Sequence, residues 1–144
     1  MATINAIKGT ANKPYAGLDK LFVIENTIDF QALGAANGDT VQCLPVAAGW
    51  RILGLEVETV TSADSATAAT ADVGDSGSAN GFMDDINLKS AAGTVITAQT
   101  ATGYGNTRRY TSADTINMTL TYTGATTQKG KVKIRAIVVK MTDD

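Results

Sequence analysis

The chain has 144 residues, of which 12 are basic and 14 acidic, for a net charge of −2. That length allows one hydrophobic core but not two, and the near-balance of charge argues against bulk binding to nucleic acid or to an anionic membrane. There is no histidine and a single cysteine, Cys43, which removes Ser-His and Cys-His nucleophilic pairs, His-based zinc sites and any internal disulfide.

Alanine supplies 22 of the apolar residues, whereas Thr, Val and Ile together reach 41. Stiff, branched side chains at that density favour pleated, half-buried strands over helices. Residues 1–20 show no clean period: Gly9, Asn12, Pro14 and Gly17 punctuate scattered Ile4, Ile7, Tyr15 and Leu18. This reads as an extended N-terminal arm, ordered by docking rather than by its own packing, with a frayed terminus as the alternative. Residues 1–10 lack the apolar stretch of a secretory leader, so the expectation is a protein made and kept inside its cell of synthesis. Apolar runs such as residues 21–24 and 137–139 are too short to span a bilayer. A single β domain is expected over residues 21–144.

Residues 21–31 and 39–46 are strand candidates, the second with Val41 and Cys43 on one face and Pro45 marking an edge or strand end. Residues 50–61 alternate more clearly. Leu53, Leu55 and Val57 fall on one side and Glu56 and Glu58 on the other, as in a sheet wetted on one face. Ala69, Ala71 and Val73 predict a strand against a crowded surface. Residues 72–81 are turn chemistry, after which Phe82, Ile86 and Leu88 are expected to pin a short helical turn or loop onto the core. Residues 94–97 form a short strand and residues 103–110 a loop bearing glycine and arginine. Residues 115–123 alternate without error: Ile116, Met118, Leu120 and Tyr122 point inward against a hydroxyl-rich outer face. In residues 131–141, Val132, Ile134, Ala136 and Val138 face inward and Lys131, Lys133 and Arg135 outward. Past Ile137 both faces turn apolar, so this strand end should be covered on both sides or lie in an interface. Seven or eight short strands without a long amphipathic helix predict an all-β fold, an antiparallel sandwich, jelly-roll-like module or barrel. The tetrapeptide at residues 61–64 recurs at 111–114, which shared turn chemistry explains better than duplication.

No constellation announces catalysis. Glu56 and Glu58 share a strand face, but glycoside hydrolysis needs one acid against an apolar wall, which a wetted face does not supply. Asp72, Asp75, Asn80, Asp84 and Asp85 offer oxygen ligands around glycines, yet their spacing is not that of an EF-hand and no closing glutamate follows. The expectation is a polar loop with no metal and no cofactor. Arg108 and Arg109 suit a phosphate or a partner's carboxylate. Lys131, Lys133 and Arg135 form a modest basic stripe that reads first as a solvated face and second as a protein contact. Trp50, Tyr104, Tyr110 and Tyr122 are the candidates for a sugar-stacking platform, although Tyr122 already belongs to the core pattern.

Four features occur in order along the chain: the turn into a strand Val46-Ala-Ala-Gly-Trp-Arg-Ile-Leu-Gly-Leu-Glu-Val57; Thr70-Ala-Asp-Val-Gly-Asp75 followed by Asn80-Gly-Phe-Met-Asp84; Tyr110-Thr-Ser-Ala-Asp-Thr-Ile116 with its alternating strand; and Gly130-Lys-Val-Lys-Ile-Arg-Ala-Ile-Val-Val139. Together they resemble the head-decoration, or capsid cement, proteins of tailed bacteriophages. The resemblance covers about two-thirds of the chain. It leaves residues 1–20 and the loop at 125–129 without a counterpart.

The resemblance implies a β-sandwich or jelly-roll module that binds an assembled shell as a homotrimer. It implies a partner in the major capsid protein, a place on the outer surface of the virion head after synthesis in the bacterial host cytoplasm, and no enzymatic activity. Nucleic acid and membrane are not expected partners. Candidate contact residues are Tyr15 and Leu18 in the arm, Asp75 and Asn80 in one loop, and Tyr104, Arg108 and Arg109 in another. The rival readings are a tail- or fibre-associated virion module and a carbohydrate-binding sandwich.

Overall fold

The structure, a computed structural model, describes residues 1–7, 21–65, 67–98, 103–123 and 129–140. Among them every regular element is a strand: β1 (Thr3–Asn5), β2 (Leu21–Asp29), β3 (Thr40–Val46), β4 (Trp50–Thr61), β5 (Ala68–Gly74), β6 (Met83–Asn87), β7 (Val95–Thr97), β8 (Asp114–Thr123) and β9 (Lys131–Lys140). Two of the nine, β1 and β6, were not expected as strands from the sequence.

The strands form two layers, ordered β1-β3-β8-β5-β6 and β2-β9-β4-β7. β2 pairs with β9, β3 with β8, β4 with β7 and β5 with β6, each antiparallel. These pairs are nested, so the chain from β2 to β9 is one long hairpin folded over on itself, which is the jelly-roll arrangement. Each layer keeps two edges, so the molecule is a sandwich and not a closed barrel. β1 is added outside this plan, parallel to β3.

The core lies between the layers. Ile116, Met118, Leu120 and Tyr122 of β8 and Val132, Ile134, Ala136 and Val138 of β9 are all buried, as their alternation predicts. Ala69, Ala71 and Val73 of β5 are buried with them. Cys43 is also sealed in, and burial pushes its thiol up to about 12. Pro45 falls where β3 has run past β1, whose pairing ends at Gln42, so its missing N–H leaves no gap on that side.

Two expectations are corrected. Leu53 does not join Leu55 and Val57 on the inner face; Ile52 does, along with Thr59. A bulge between Ile52 and Gly54 inserts one residue against β9, so the inward parity changes there and Leu53 turns outward. Phe82, Ile86 and Leu88 do pin the chain to the core, but as part of β6 and its flanks rather than as a helical turn. β6 is itself bulged: Ala71 pairs with Ile86 and Val73 with Met83, so Asp84 and Asp85 together stand opposite the single Asp72. Asp85 takes up the extra residue with a φ of 48°, and its amide donates to Asp72 Oδ1 at 2.8 Å. The four-residue step from Phe82 to Ile86 thus comes from an irregular strand.

The leading residues lie along the sheet edge. The Ala2 amide donates to Asp39 Oδ1 (2.9 Å) and the Ala6 amide to the Gln42 carbonyl (3.0 Å), while Asn26 Nδ2 donates to the carbonyls of Ala6 and Cys43. The rest of the arm, with Tyr15 and Leu18, lies outside the described residues.

Candidate functional site

Three regions combine polar or exposed apolar groups in a way the core does not require. The first is at the end of the sandwich where the loops 47–49, 75–82 and 103–113 meet. Asp75 begins it as a local turn: its Oδ1 accepts the amides of Gly77 (2.9 Å) and Ser78 (3.2 Å). The same fully buried carboxylate accepts Tyr104 Oη at 2.8 Å, Tyr110 Oη at 2.9 Å and Arg108 Nε at 2.7 Å. The Arg108 guanidinium lies 4.5 Å from the Tyr104 ring centroid and 5.0 Å from that of Tyr110, and Tyr104 meets Phe82 edge-on at 5.1 Å. Close backbone approach is built in as well. A Cβ on Gly81 would strike the Tyr104 ring, and one on Gly103 would strike the Gly81 carbonyl.

This carboxylate is saturated with donors. Burial by itself would raise the Asp75 carboxyl, but donation by Tyr104, Tyr110, Arg108 and the Gly77 amide outweighs it and holds the group below the usual carboxylate range. Burial and the Asp75 charge push the Tyr104 phenol up to about 12, and the same causes raise Tyr110. No proton moves here near neutral pH, so the cluster is a clamp between two loops. It gathers Asp75, Tyr104 and Arg108 from the expected contact residues. Asn80 lies apart on the exposed loop surface, its amide donating to Asp84 Oδ1 at 3.3 Å. Arg109 is exposed, and its backbone bridges to that of Arg51. Sequence reasoning did not connect Tyr110 with Asp75. The partners stand 29 to 35 positions apart, and no local pattern joins them.

The aromatic side chains do not make an open stacking platform. Tyr110 and Tyr122 are buried, Trp50 meets Phe22 edge-on at 4.9 Å, and Tyr104 lies beneath Arg108.

The second region is acidic. The β6 bulge brings carboxylate oxygens of Asp72, Asp84 and Asp85 within 4.8 Å of one another, and these are the described residues whose spacing would admit a cation. Partial burial, reinforced by the Asp85 and Asp84 charges, raises the Asp72 carboxyl despite the amide it accepts. Asp75, grouped with them from sequence, is committed to the clamp.

The third region is the outer face of the four-stranded sheet. Arg135 sits at its centre with Nε on Glu25 and Nη1 on Glu56 and Glu58, each at 2.9 Å. Glu56 and Glu58 are therefore ion-paired through Arg135, and Glu56 also borders the apolar groove beside this cluster. One step along the strands the surface changes character. Leu21, Val23 and Ile137 are 56%, 45% and 44% exposed, and Leu53 joins them through the β4 bulge. Val23, Leu53, Gly54, Ile137, Ala98 and Asn106 line a groove of about 360 Å³. The apolar end of β9 is thus uncovered on its outer side.

No protein-family model and no curated protein matches the sequence. Solved structures do match the fold. A chain in the capsid of Ralstonia phage GP4 is similar with a TM-score of 0.74 at 14% identity, over 98% of this chain and 99% of that one. A chain in the capsid asymmetric unit of cyanophage Pam1 gives 0.68 at 17% identity, over 93% and 97%. A chain in the acid-stable capsid of Helicobacter pylori bacteriophage KHP30 gives 0.59 at 13% identity, over 83% and 86%. At these identities the likeness is one of fold, and for the GP4 chain it extends over almost the whole sequence.

Proposed function

We propose that this protein is a structural component of a phage virion that decorates the outer surface of the head and stabilises it as a cement protein. One observation carries the reading: the fold matches, almost end to end, a chain found within a phage capsid, and two further capsids contain similar chains. The chemistry agrees. Its buried carboxylate is locked in a clamp and Glu56 and Glu58 are ion-paired, which supports reading the chain as an attachment module rather than an enzyme.

In this reading the partner is the major capsid protein and the active form is a homotrimer. A cyclic trimer at a local symmetry axis touches several shell subunits at once, which multiplies affinity without any single strong patch. Because it binds the lattice and not free subunits, it stabilises the assembled state by mass action. The contact regions are the arm, with Tyr15 and Leu18, and the clamped loop end, where Asn80, Tyr104, Arg108 and Arg109 make the contact and the buried Asp75 holds the loops in place from beneath. A rigid loop end limits the ordering entropy of attachment.

The test is to mix purified protein with expanded capsids that lack decoration and to pellet them. Saturable co-sedimentation and a higher capsid melting temperature are expected. If nothing pellets in either low or physiological salt, the cement reading fails. Light scattering on the purified protein should give the mass of a trimer.

A further inference from the structure

We propose that the outer face of β2, β9 and β4 around Ile137 is a self-complementary docking surface whose occupant is a second copy of this chain. The registers place its residues in three rows across the sheet. Leu21, Val139 and Arg51 form the first, Val23, Ile137 and Gly54 the second, and Glu25, Arg135 and Glu56 the third. The middle row is apolar and borders the groove. One outer row is acidic on balance, with Glu58 adding a further carboxylate to Arg135, and the other ends in the cation Arg51, whose Nε donates to the Asn106 carbonyl at 2.9 Å.

Both outer rows lie two residues from Ile137, which is roughly 7 Å along a strand. A two-fold axis running across the strands at Ile137 therefore lays the acidic row of one copy over the Arg51 row of the other. β4 then faces β4, and Glu56 of each copy meets Arg51 of its mate. The apolar centres meet between them, Ile137 against Ile137 and Gly54 against Gly54, where the Ile137 side chain of each copy already leans over its own Gly54. Strands stacked in this way run antiparallel in nearly aligned packing, a normal arrangement for two sheets. Isologous contacts need this kind of self-complementary patch.

The surface is small. Three rows on three strands bury roughly 600 Å² for the pair, by strand and residue spacing, against the 1,200 Å² or so of a stable complex. The contact is weak between free molecules and strengthens where copies are held side by side. It goes beyond the virion reading and does not require it.

The experiment is sedimentation velocity on the purified full chain from about 10 µM to about 1 mM, the range in which so small an interface dissociates. The native chain is expected to double the mass of its basic assembly as concentration rises. Ile137→Asp, at an exposed position, should abolish the doubling and leave the melting temperature nearly unchanged. Arg51→Glu and Glu56→Arg should each weaken it about tenfold, a change of about 1.4 kcal/mol, and the double variant should recover most of the loss. A constant mass throughout overturns the proposal, as does doubling that survives Ile137→Asp or a double variant no better than the single ones. A constant mass together with capsid pelleting that Ile137→Asp abolishes would assign the face to a shell subunit instead. That outcome sinks the self-docking but leaves the cement reading intact.

Discussion

On the outer face of the five-stranded sheet, β8 presents Thr115, Asn117, Thr119 and Thr121, with Thr40 and Gln42 of β3 beside them. Thr40 and Thr119 share a hydrogen bond across the strands at 3.3 Å, and Thr115 donates to Asn117 at 2.7 Å. On the outer face of the four-stranded sheet, Arg135 gathers three glutamates beside an exposed patch of Leu21, Val23 and Ile137. The two layers use the same inward alternation yet finish differently outside. A hydroxyl-rich face satisfies itself locally and with water, so the fold needs nothing more of it. Clustered apolar side chains on a wetted face add nothing to a lone molecule's core, so they point to contact.

The deepest test of this contrast is that the inner faces be equivalent. Leu120→Ala in one sheet and Ile134→Ala in the other should each remove about 2–5 kcal/mol in denaturant melts, because both side chains are fully buried. A marked inequality would mean that the layers do not share one core.

Next in size is the clamp. Asp75→Ala should remove ~3 kcal/mol by leaving Arg108 and two phenols without their acceptor. The folded Asp75 titrates below its unfolded value, so its contribution is complete above roughly pH 4 and is lost as the pH falls below that. Melts of the native chain should steepen in that acid range and those of the variant should not; identical acid limbs would contradict the assignment.

Tyr122→Phe is expected to be neutral or stabilising by about 1 kcal/mol, since its buried hydroxyl has no hydrogen-bond partner among the described residues. Smallest of all, Thr119→Val should shift stability by less than about 0.5 kcal/mol and leave the sedimentation profile unchanged. If it altered association as Ile137→Asp does, the contrast between the two outer faces would collapse.

The regular strands were legible because their period is visible within ten residues, as at Ile116–Met118–Leu120–Tyr122. The misreadings fall at the bulges. One inserted residue at Leu53 reverses which parity faces inward, and the paired Asp84 and Asp85 turn a strand into a helix-like spacing. β1 escaped notice because three residues in parallel pairing on an edge carry no alternation of their own. At the loop end the turn at Asp75 was legible, since aspartate and glycines favour it locally. Its union with Tyr104, Arg108 and Tyr110 was not, because only the folded sheets bring those loops together. The apolar end of β9 was visible as a run, but the charge rows on either side of it required the register with β2 and β4.

The nested pairing also governs how the molecule comes into being. The innermost partners, β5 and β6, are joined by the short loop 75–82, whereas Asp29 must find Lys131 across most of the chain. Such distant pairings are slow, taking milliseconds to seconds in folds of this kind. β9 is the strand that separates β2 from β4, so a nascent polypeptide still lacking it has only the β4–β7 pair of the second layer and leaves much of its oily inner surface open. Ile137 is itself on β9, and the platform around it does not exist until translation has passed that strand. Completion of the second layer therefore precedes any meeting of molecules through this face.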